Sequence, residues 1–371
     1  MDYSKLSDEE LLVLKKNLEY DISKYSNFQL VRKIQLNSAY GAIGNEYFRY
    51  FSTDIAEAIT LSGQLSIQYI ANSINRLLNQ TLGTTDEDYI VASDTDSMYI
   101  CLDKLVSKVI PNEKDPTKIS KYLDKACESI IQPFIDKEFN KLRDTMNAYE
   151  NKMVMGREVI AEKGIWTAKK RYILNMWNKE GVQYKEPKLK IMGIETTRSS
   201  TPEAVRKDLE SSIKIIMSKD EDTLIDFIED VRQKFMKYRP EDVAFPRSAN
   251  GLGEYADNQQ IYRKSTPIQV KGALIYNHYI KKYKLDKKYK QITDGDKIKF
   301  VYLKKPNPLG GVRGQDHVIS FINDIPKEFE LDHYIDYDMQ FDKAFMEPLR
   351  SILTAINWKA ERVSTLESLF G

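Results

Sequence analysis

Lys33-Ile34-Gln35-Leu36-Asn37-Ser38-Ala39-Tyr40-Gly41 and, later in the chain, Asp94-Thr95-Asp96-Ser97 are the two stretches that decide what this 371-residue chain is. In the first, Lys33, Asn37, Tyr40 and Gly44 are spaced 4, 3 and 4 apart, which puts them on one face of a helix. Val31, Ile34 and Ala42 point elsewhere and can bury. The face offers a cation for a phosphate, an amide for hydrogen bonding and a flat ring for stacking. A solvated face with an incidental tyrosine is the plainer alternative.

The second stretch separates two short, apolar, β-prone runs, Asp88–Ala92 and Ser97–Leu102, and so reads as the tip of a β-hairpin. Two carboxylates two residues apart beside a tight turn can reach one small volume. Ionised carboxylates that close repel, so the pair needs a divalent cation or a raised pKa. Magnesium takes one or two protein carboxylates together with phosphate oxygens, which suits phosphoryl transfer. Asp and Ser also simply make turns, and that reading stands beside the first.

Outward from these stretches, Ser7-Asp8-Glu9-Glu10 reads as a capping box that opens a helix through Leu11 to Leu18. The pattern breaks around Tyr25-Ser26-Asn27, which predicts a second helix from about Phe28 to Ile43 and hence a helical hairpin. A long helix starts near Thr53-Asp54, with Ile55, Ala58, Ile59, Tyr69, Ile70 and Leu77 on one face. Past the β-hairpin, a helical region from about Lys118 to Tyr149 precedes strand-like stretches at Lys152–Val159, Trp166–Trp177 and Lys188–Ile194. Thr196–Pro202 is a polar boundary, followed by helices at about 203–218, 220–238 and 341–356. The expected class is α+β: a helical hairpin, a small antiparallel sheet with packed helices, and a mostly helical C-terminal part.

Hydrophobic residues at 42% and charged residues at 30% describe a globular protein with a real core, long enough for two or three domains. No apolar run reaches the ~18 residues of a membrane span, and Met1–Leu12 lacks the pattern of a signal peptide. Two cysteines, Cys101 and Cys127, make no disulfide framework and suit a reducing cytosol. The net charge of +1 hides a lysine-rich segment from Lys281 to Lys305. Phosphate binding and a solvated lysine surface both fit it.

Lys-x3-Asn-Ser-x-Tyr-Gly followed by Asp-Thr-Asp-Ser resembles the fingers-helix and palm-hairpin motifs of family B DNA polymerases. The resemblance extends over essentially the whole chain to the replicative enzymes of T-even-type phages. Asn45–Tyr50, Lys169-Lys170-Arg171-Tyr172, Glu186–Gly193, Ser199–Pro202 and Leu366-Glu367-Ser368-Leu369-Phe370 all look like that group. It implies the C-terminal part of such an enzyme: the end of the fingers at 1–46, an incomplete palm at 47–195, and a thumb at 196–371 ending in a clamp-binding tail.

By this resemblance Asp94 and Asp96 belong to a palm site for two Mg2+ ions, with Glu158 as an accessory carboxylate. Lys33 holds the incoming deoxynucleoside triphosphate, and Asn37 and Tyr40 lie near the nascent base pair. Lys169, Lys170, Arg171 and Tyr172, with Lys188 and Lys190, follow the primer–template DNA. Cations beside an aromatic ring make sense there without the family as well. Leu366, Leu369 and Phe370 engage a sliding clamp. The setting implied is the cytoplasm of an infected bacterial host cell.

Two departures stand out. Ser93 precedes Asp94 where the family usually has glycine. Nothing resembles the family's upstream palm motif, an aspartate followed by Ser-Leu-Tyr-Pro, and the second triphosphate-binding fingers helix and the exonuclease domain have no counterpart. The expectation is a split polymerase whose partner, an N-terminal polypeptide, carries the missing aspartate. A non-catalytic subunit that binds DNA and clamp is the alternative from another class. A nuclease built on Asp94 and Asp96 is weaker still, because the family keeps its exonuclease carboxylates elsewhere.

Overall fold

A computed structural model describes residues 6–309 and 317–362. The chain is α+β and divides into two compact units, residues 1–112 with 129–156, and residues 113–128 with 157–371.

The first unit opens with α1 (Asp8–Ile43), capped by the expected box: Ser7 Oγ accepts from Glu10 N at 3.3 Å while Ser7 N donates to Glu10 Oε2 at 2.9 Å. The helical hairpin expected within residues 7–43 is not formed; α1 runs unbroken through Tyr25-Ser26-Asn27. Serine and asparagine cost a helix interior only about 0.5 kcal/mol each, and no glycine or proline interrupts the ladder there. Tyr25 and Phe28 meet edge to face across the supposed break.

α1 buries none of its residues, and its apolar side chains are spread around the whole circumference. Ser52 caps α2 (Thr53–Leu82), which ends at Gly83 in the left-handed conformation, φ 73°. Only the second half of α2 enters a core. Ile70, Ile74 and Leu78 pack with Tyr89 and with Ile135, Phe139 and Leu142 of a later helix, while the expected face residues Ile55 and Ile59 are exposed. Strands β1 (Ile90–Asp94) and β2 (Ser97–Ile100) form the predicted hairpin, and α3 (Asp103–Val109) follows.

Helix α4 (Pro116–Ala126) belongs to the second unit and α5 (Gln132–Thr145) to the first, with a π-helical stretch at Cys127–Ile131 between them in sequence. In the second unit β3 (Val159–Ala168), β4 (Arg171–Lys179) and β5 (Val182–Met192) form an antiparallel sheet in that order. Residues 152–158 are not a strand, contrary to expectation; β-structure begins at Val159, where pairing with Lys179 becomes available.

Helices α6 (Glu203–Ser218) and α7 (Glu221–Phe235) agree with the predicted spans. The region after them is less helical than expected. Short α8 (Pro240–Val243), β6 (Phe245–Ser248), α9 (Leu252–Tyr255) and the small pair β7 (Ala256–Asp257) and β8 (Ile261–Tyr262) lead to α10 (Ile268–Lys282). β9 (Lys297–Tyr302) then sits between β6 and β10 (Val318–Phe321) in a second three-stranded sheet. α11 (Tyr337–Phe341), a π-helical stretch (Asp342–Met346) and α12 (Glu347–Ile356) close the described chain.

β10 is buried along its full length, and α10 lies against it at Gly272. A Cβ there would meet Ser320 Oγ at 2.5 Å and its backbone nitrogen at 2.7 Å. One continuous core joins α6, α7, α10, the second sheet and the closing helices.

Candidate functional site

The carboxylate pair sits where β1 turns into β2. Asp94 pairs with Ser97, and the turn between them closes through Asp96 N donating to Asp94 O at 2.7 Å. Thr95 takes φ 56° to allow it. A β-branched residue at positive φ inside an i→i+2 turn is a strained arrangement, of order 1–3 kcal/mol, of the kind that persists where its surroundings impose it. Thr95 Oγ1 donates to Asp94 Oδ1 at 3.0 Å, and Ser97 Oγ donates to Asp94 O at 3.1 Å. The alternation along β1 leaves Asp94 half-buried with Ile90 and Ala92, while Asp96 is exposed. Ser93 is an ordinary strand residue opposite Met98, so the conformation that favours glycine falls on Thr95 rather than on Ser93.

Behind the hairpin, α2 pins the chain that feeds β1. Asn75 Oδ1 accepts from Tyr89 N at 2.9 Å, and Asn75 Nδ2 donates to Asp88 Oδ1 at 2.8 Å. One turn on, Asn79 holds Glu87 from both sides, accepting from its N–H at 3.1 Å and donating to its carbonyl at 2.8 Å. Glu138 of α5, only 3% exposed, accepts from Tyr69 and Ser73 of α2, each at 3.2 Å, and pairs with Lys141. Burial acts to raise the Glu138 pKa, yet those donors hold it below the ordinary carboxylate value. Tyr69 is on the helix face that the sequence predicts, whereas Asn75, Asn79 and Glu138 carry no role in that reading. The asparagines in α2, poor helix formers one turn apart, were the available signal.

Lys33, Asn37 and Tyr40 share one exposed face of α1, with Gly44 as its C-cap. Among the described residues no group of three or more His, Cys, Asp or Glu gathers to hold a metal. Asp94 and Asp96 alone supply two hard oxygen donors, which suits magnesium as a partial ligand set completed by phosphate and other carboxylates.

The remaining site residues lie in the second unit. Lys169 and Lys170 form the two-residue turn between Ala168 and Arg171, with Lys170 at φ 61°. Arg171 is half-buried and its terminal nitrogen spans both oxygens of Glu195, at 3.0 and 2.8 Å. Tyr172 is buried in the sheet. Lys188 lies over the Tyr184 ring. Lys190 meets Glu158 at 2.8 Å; burial works to lower its pKa, but Glu158 and Tyr172 outweigh that and hold it above the usual lysine value. Glu158, expected as an accessory metal carboxylate, accepts from Lys190, itself expected on DNA.

Several lysines of the 281–305 segment are engaged within the protein. Lys288 pairs with Glu328, Lys290 with Asp296, and Lys299 donates to Glu241 O. Leu366, Leu369 and Phe370 lie outside the described residues. Among the described residues no helix is long and apolar enough to cross a membrane.

The family model described as DNA polymerase family B matches residues 13–123, a span that contains both Lys33–Gly41 and Asp94–Ser97. Over 356 residues, 92% of this chain, the sequence is 36% identical to the DNA-directed DNA polymerases of Enterobacteria phage T4 and Escherichia phage RB69. It spans 38% of the length of those relatives. A more distant relative, a DNA polymerase beta of African swine fever virus, is 28% identical over 117 residues, 31% of this chain and 9% of its own.

Proposed function

Because the chain belongs to the family B DNA polymerases, with T4-like enzymes among its relatives, we propose that it is the C-terminal catalytic portion of a replicative DNA polymerase. It adds deoxynucleotides to a primer 3′-hydroxyl under template direction. In that reaction the 3′-oxygen attacks the α-phosphorus of the triphosphate and pyrophosphate leaves. The observation that carries the reading is the Asp94–Asp96 pair at a strained hairpin tip inside the matched segment.

Lys33 faces the triphosphate and neutralises its charge, while Asn37 and Tyr40 line the nascent base pair. Asp94 and Asp96 would hold two magnesium ions together with acidic groups from outside the described residues. Bound there, magnesium supplies charge stabilisation at the attacking and leaving oxygens. The Lys169–Tyr172 turn, with Lys188 and Lys190, follows the primer–template duplex, and Glu158 sets the charge of that strand through Lys190. Residues 1–46 act as the end of the fingers, 47–195 as palm and 196–371 as thumb, with Leu366, Leu369 and Phe370 reaching for a sliding clamp.

A separate N-terminal polypeptide completes the site. What supports this is α1: Leu12, Ile22 and Leu36 are 72%, 68% and 75% exposed, on a helix that buries nothing of its own. Apolar surface of that extent is normally covered by a partner or becomes an aggregation hazard. In the presence of that polypeptide the chain extends a primed template, and Asp96→Ala abolishes extension while duplex binding persists. Extension undiminished by Asp96→Ala would remove the catalytic assignment. Duplex and clamp binding with no extension under any combination would support the non-catalytic subunit.

A further inference from the structure

The turn at Lys169-Lys170 is held from behind by the segment that follows β5. Tyr172 pairs with Met192, so Gly193–Glu195 runs beside Lys170 and Arg171. Gly193 has φ 67°, and a Cβ on it would run into the Lys170 carbonyl oxygen, so only glycine allows this approach. Next in line, Glu195 opens a short 3-10 turn and receives Arg171 on both carboxylate oxygens. Arg198 closes the arrangement, donating to Gly193 O at 3.0 Å and lying 3.6 Å from Glu195 Oε1.

The Arg171 and Glu195 side chains are 29% and 20% exposed, and Arg171 Nε is buried with no hydrogen-bond partner. Its Nε is thus inside the protein, and its Nη2 is committed to Glu195. Lys169 and Lys170, immediately before it, are exposed on the turn. A lysine at φ 61° is an uncommon conformation, and a neighbouring anchor is what keeps such a residue in place.

We propose that Glu195 is a positioning residue for nucleic-acid binding: by holding Arg171 inward it fixes the turn that presents Lys169 and Lys170 to the phosphates of a bound duplex. Arg171 serves as the anchor of that turn and makes no phosphate contact itself. The inference rests on the proposed DNA-binding role of the turn and adds how the turn is held and which cation does not touch the backbone.

The test is fluorescence anisotropy of the full chain on a primer–template duplex over a range of salt. Lys169→Ala with Lys170→Ala lowers the salt slope by about 2, as loss of two phosphate contacts does. Glu195→Gln, which keeps shape and removes the anion, lowers affinity about fivefold and reduces the same slope. Arg171→Gln gives an equal loss, and the two together give no more than either alone. In the background lacking both lysines, Glu195→Gln changes affinity less than about twofold, and Glu195→Asp restores binding in the parent. Unchanged or tighter binding by Glu195→Gln would overturn the proposal, because it would mean the freed Arg171 reaches phosphate. Losses that multiply in the lysine-free background, or that Glu195→Asp does not restore, would also overturn it by marking a general structural defect. No duplex binding by the parent chain would instead overturn the DNA-binding reading itself, and the latch with it.

Discussion

Asn75 on α2 receives the backbone N–H of Tyr89 at 2.9 Å, and through that bond a helix side chain fixes the point where the carboxylate hairpin begins. Tyr89 is 3% exposed, so its N–H has no water to fall back on. Asn75→Ala should therefore destabilise the chain by about 1–3 kcal/mol, the cost of an orphaned buried donor. Urea denaturation measures this. A change within the error of the fit would show that the β1 entrance is held by other contacts.

Thr95 stores strain at the tip of the same hairpin, with φ 56° between the two aspartates. Thr95→Gly should raise stability by up to about 1 kcal/mol by relieving that conformation. It should at the same time lower extension activity, since a freer turn no longer holds Asp94 and Asp96 together. Thermal unfolding and primer extension on one preparation check both. A less stable variant would mean that Thr95 Oγ1, through its bond to Asp94, contributes more than the strain costs.

Much of this was legible in the sequence, and the reasons differ by element. The Ser7–Glu10 cap, the hairpin at Asp94–Ser97 and the α6 and α7 spans follow from local chemistry, and local chemistry is what a sequence displays. The helix break expected at Tyr25-Ser26-Asn27 does not form because no glycine or proline enforces a turn among those polar residues. The sheet of β6, β9 and β10 was missed because its strands are short and joined by long connections. Its middle strand, β9, also lies within the lysine-rich run. The roles of Glu195 and Gly193 were invisible because they depend on the register of β5 against β4.

Gly272→Ala tests the packing of the second unit. The added methyl meets both Ser320 Oγ and its backbone nitrogen, and backbone cannot swing aside. Overpacking of this kind costs about 1–3 kcal/mol. The second unit should lose that much in denaturant melts, and a neutral result would mean α10 can slide on β10.

Acid should loosen the lysine-rich segment. Backbone and side-chain bonds from Thr293, with Lys290, hold Asp296 down at about 2, and Lys288 leads in holding Glu328 at about 2. A depressed carboxylate stabilises the fold above its ordinary value and loses that contribution as pH falls through the folded value. Stability should therefore decline between about pH 4.5 and about pH 2. Asp296→Asn with Glu328→Gln should flatten that part of the profile. Denaturation midpoints across the range check it, and an unaltered slope would show that other carboxylates dominate.

The exposed apolar circumference of α1 predicts that amide exchange along Asp8–Ile43 slows when the N-terminal polypeptide is added. Unchanged exchange would mean that α1 is not the contact surface.

Primer extension by this chain alone, by the N-terminal polypeptide alone, and by the two mixed tests the central claim most directly. The account predicts synthesis only in the mixture, dependent on a divalent cation and lost with Asp96→Ala. Extension by this chain alone at the rate of the mixture would contradict it, because Asp94 and Asp96 would then be sufficient without a partner.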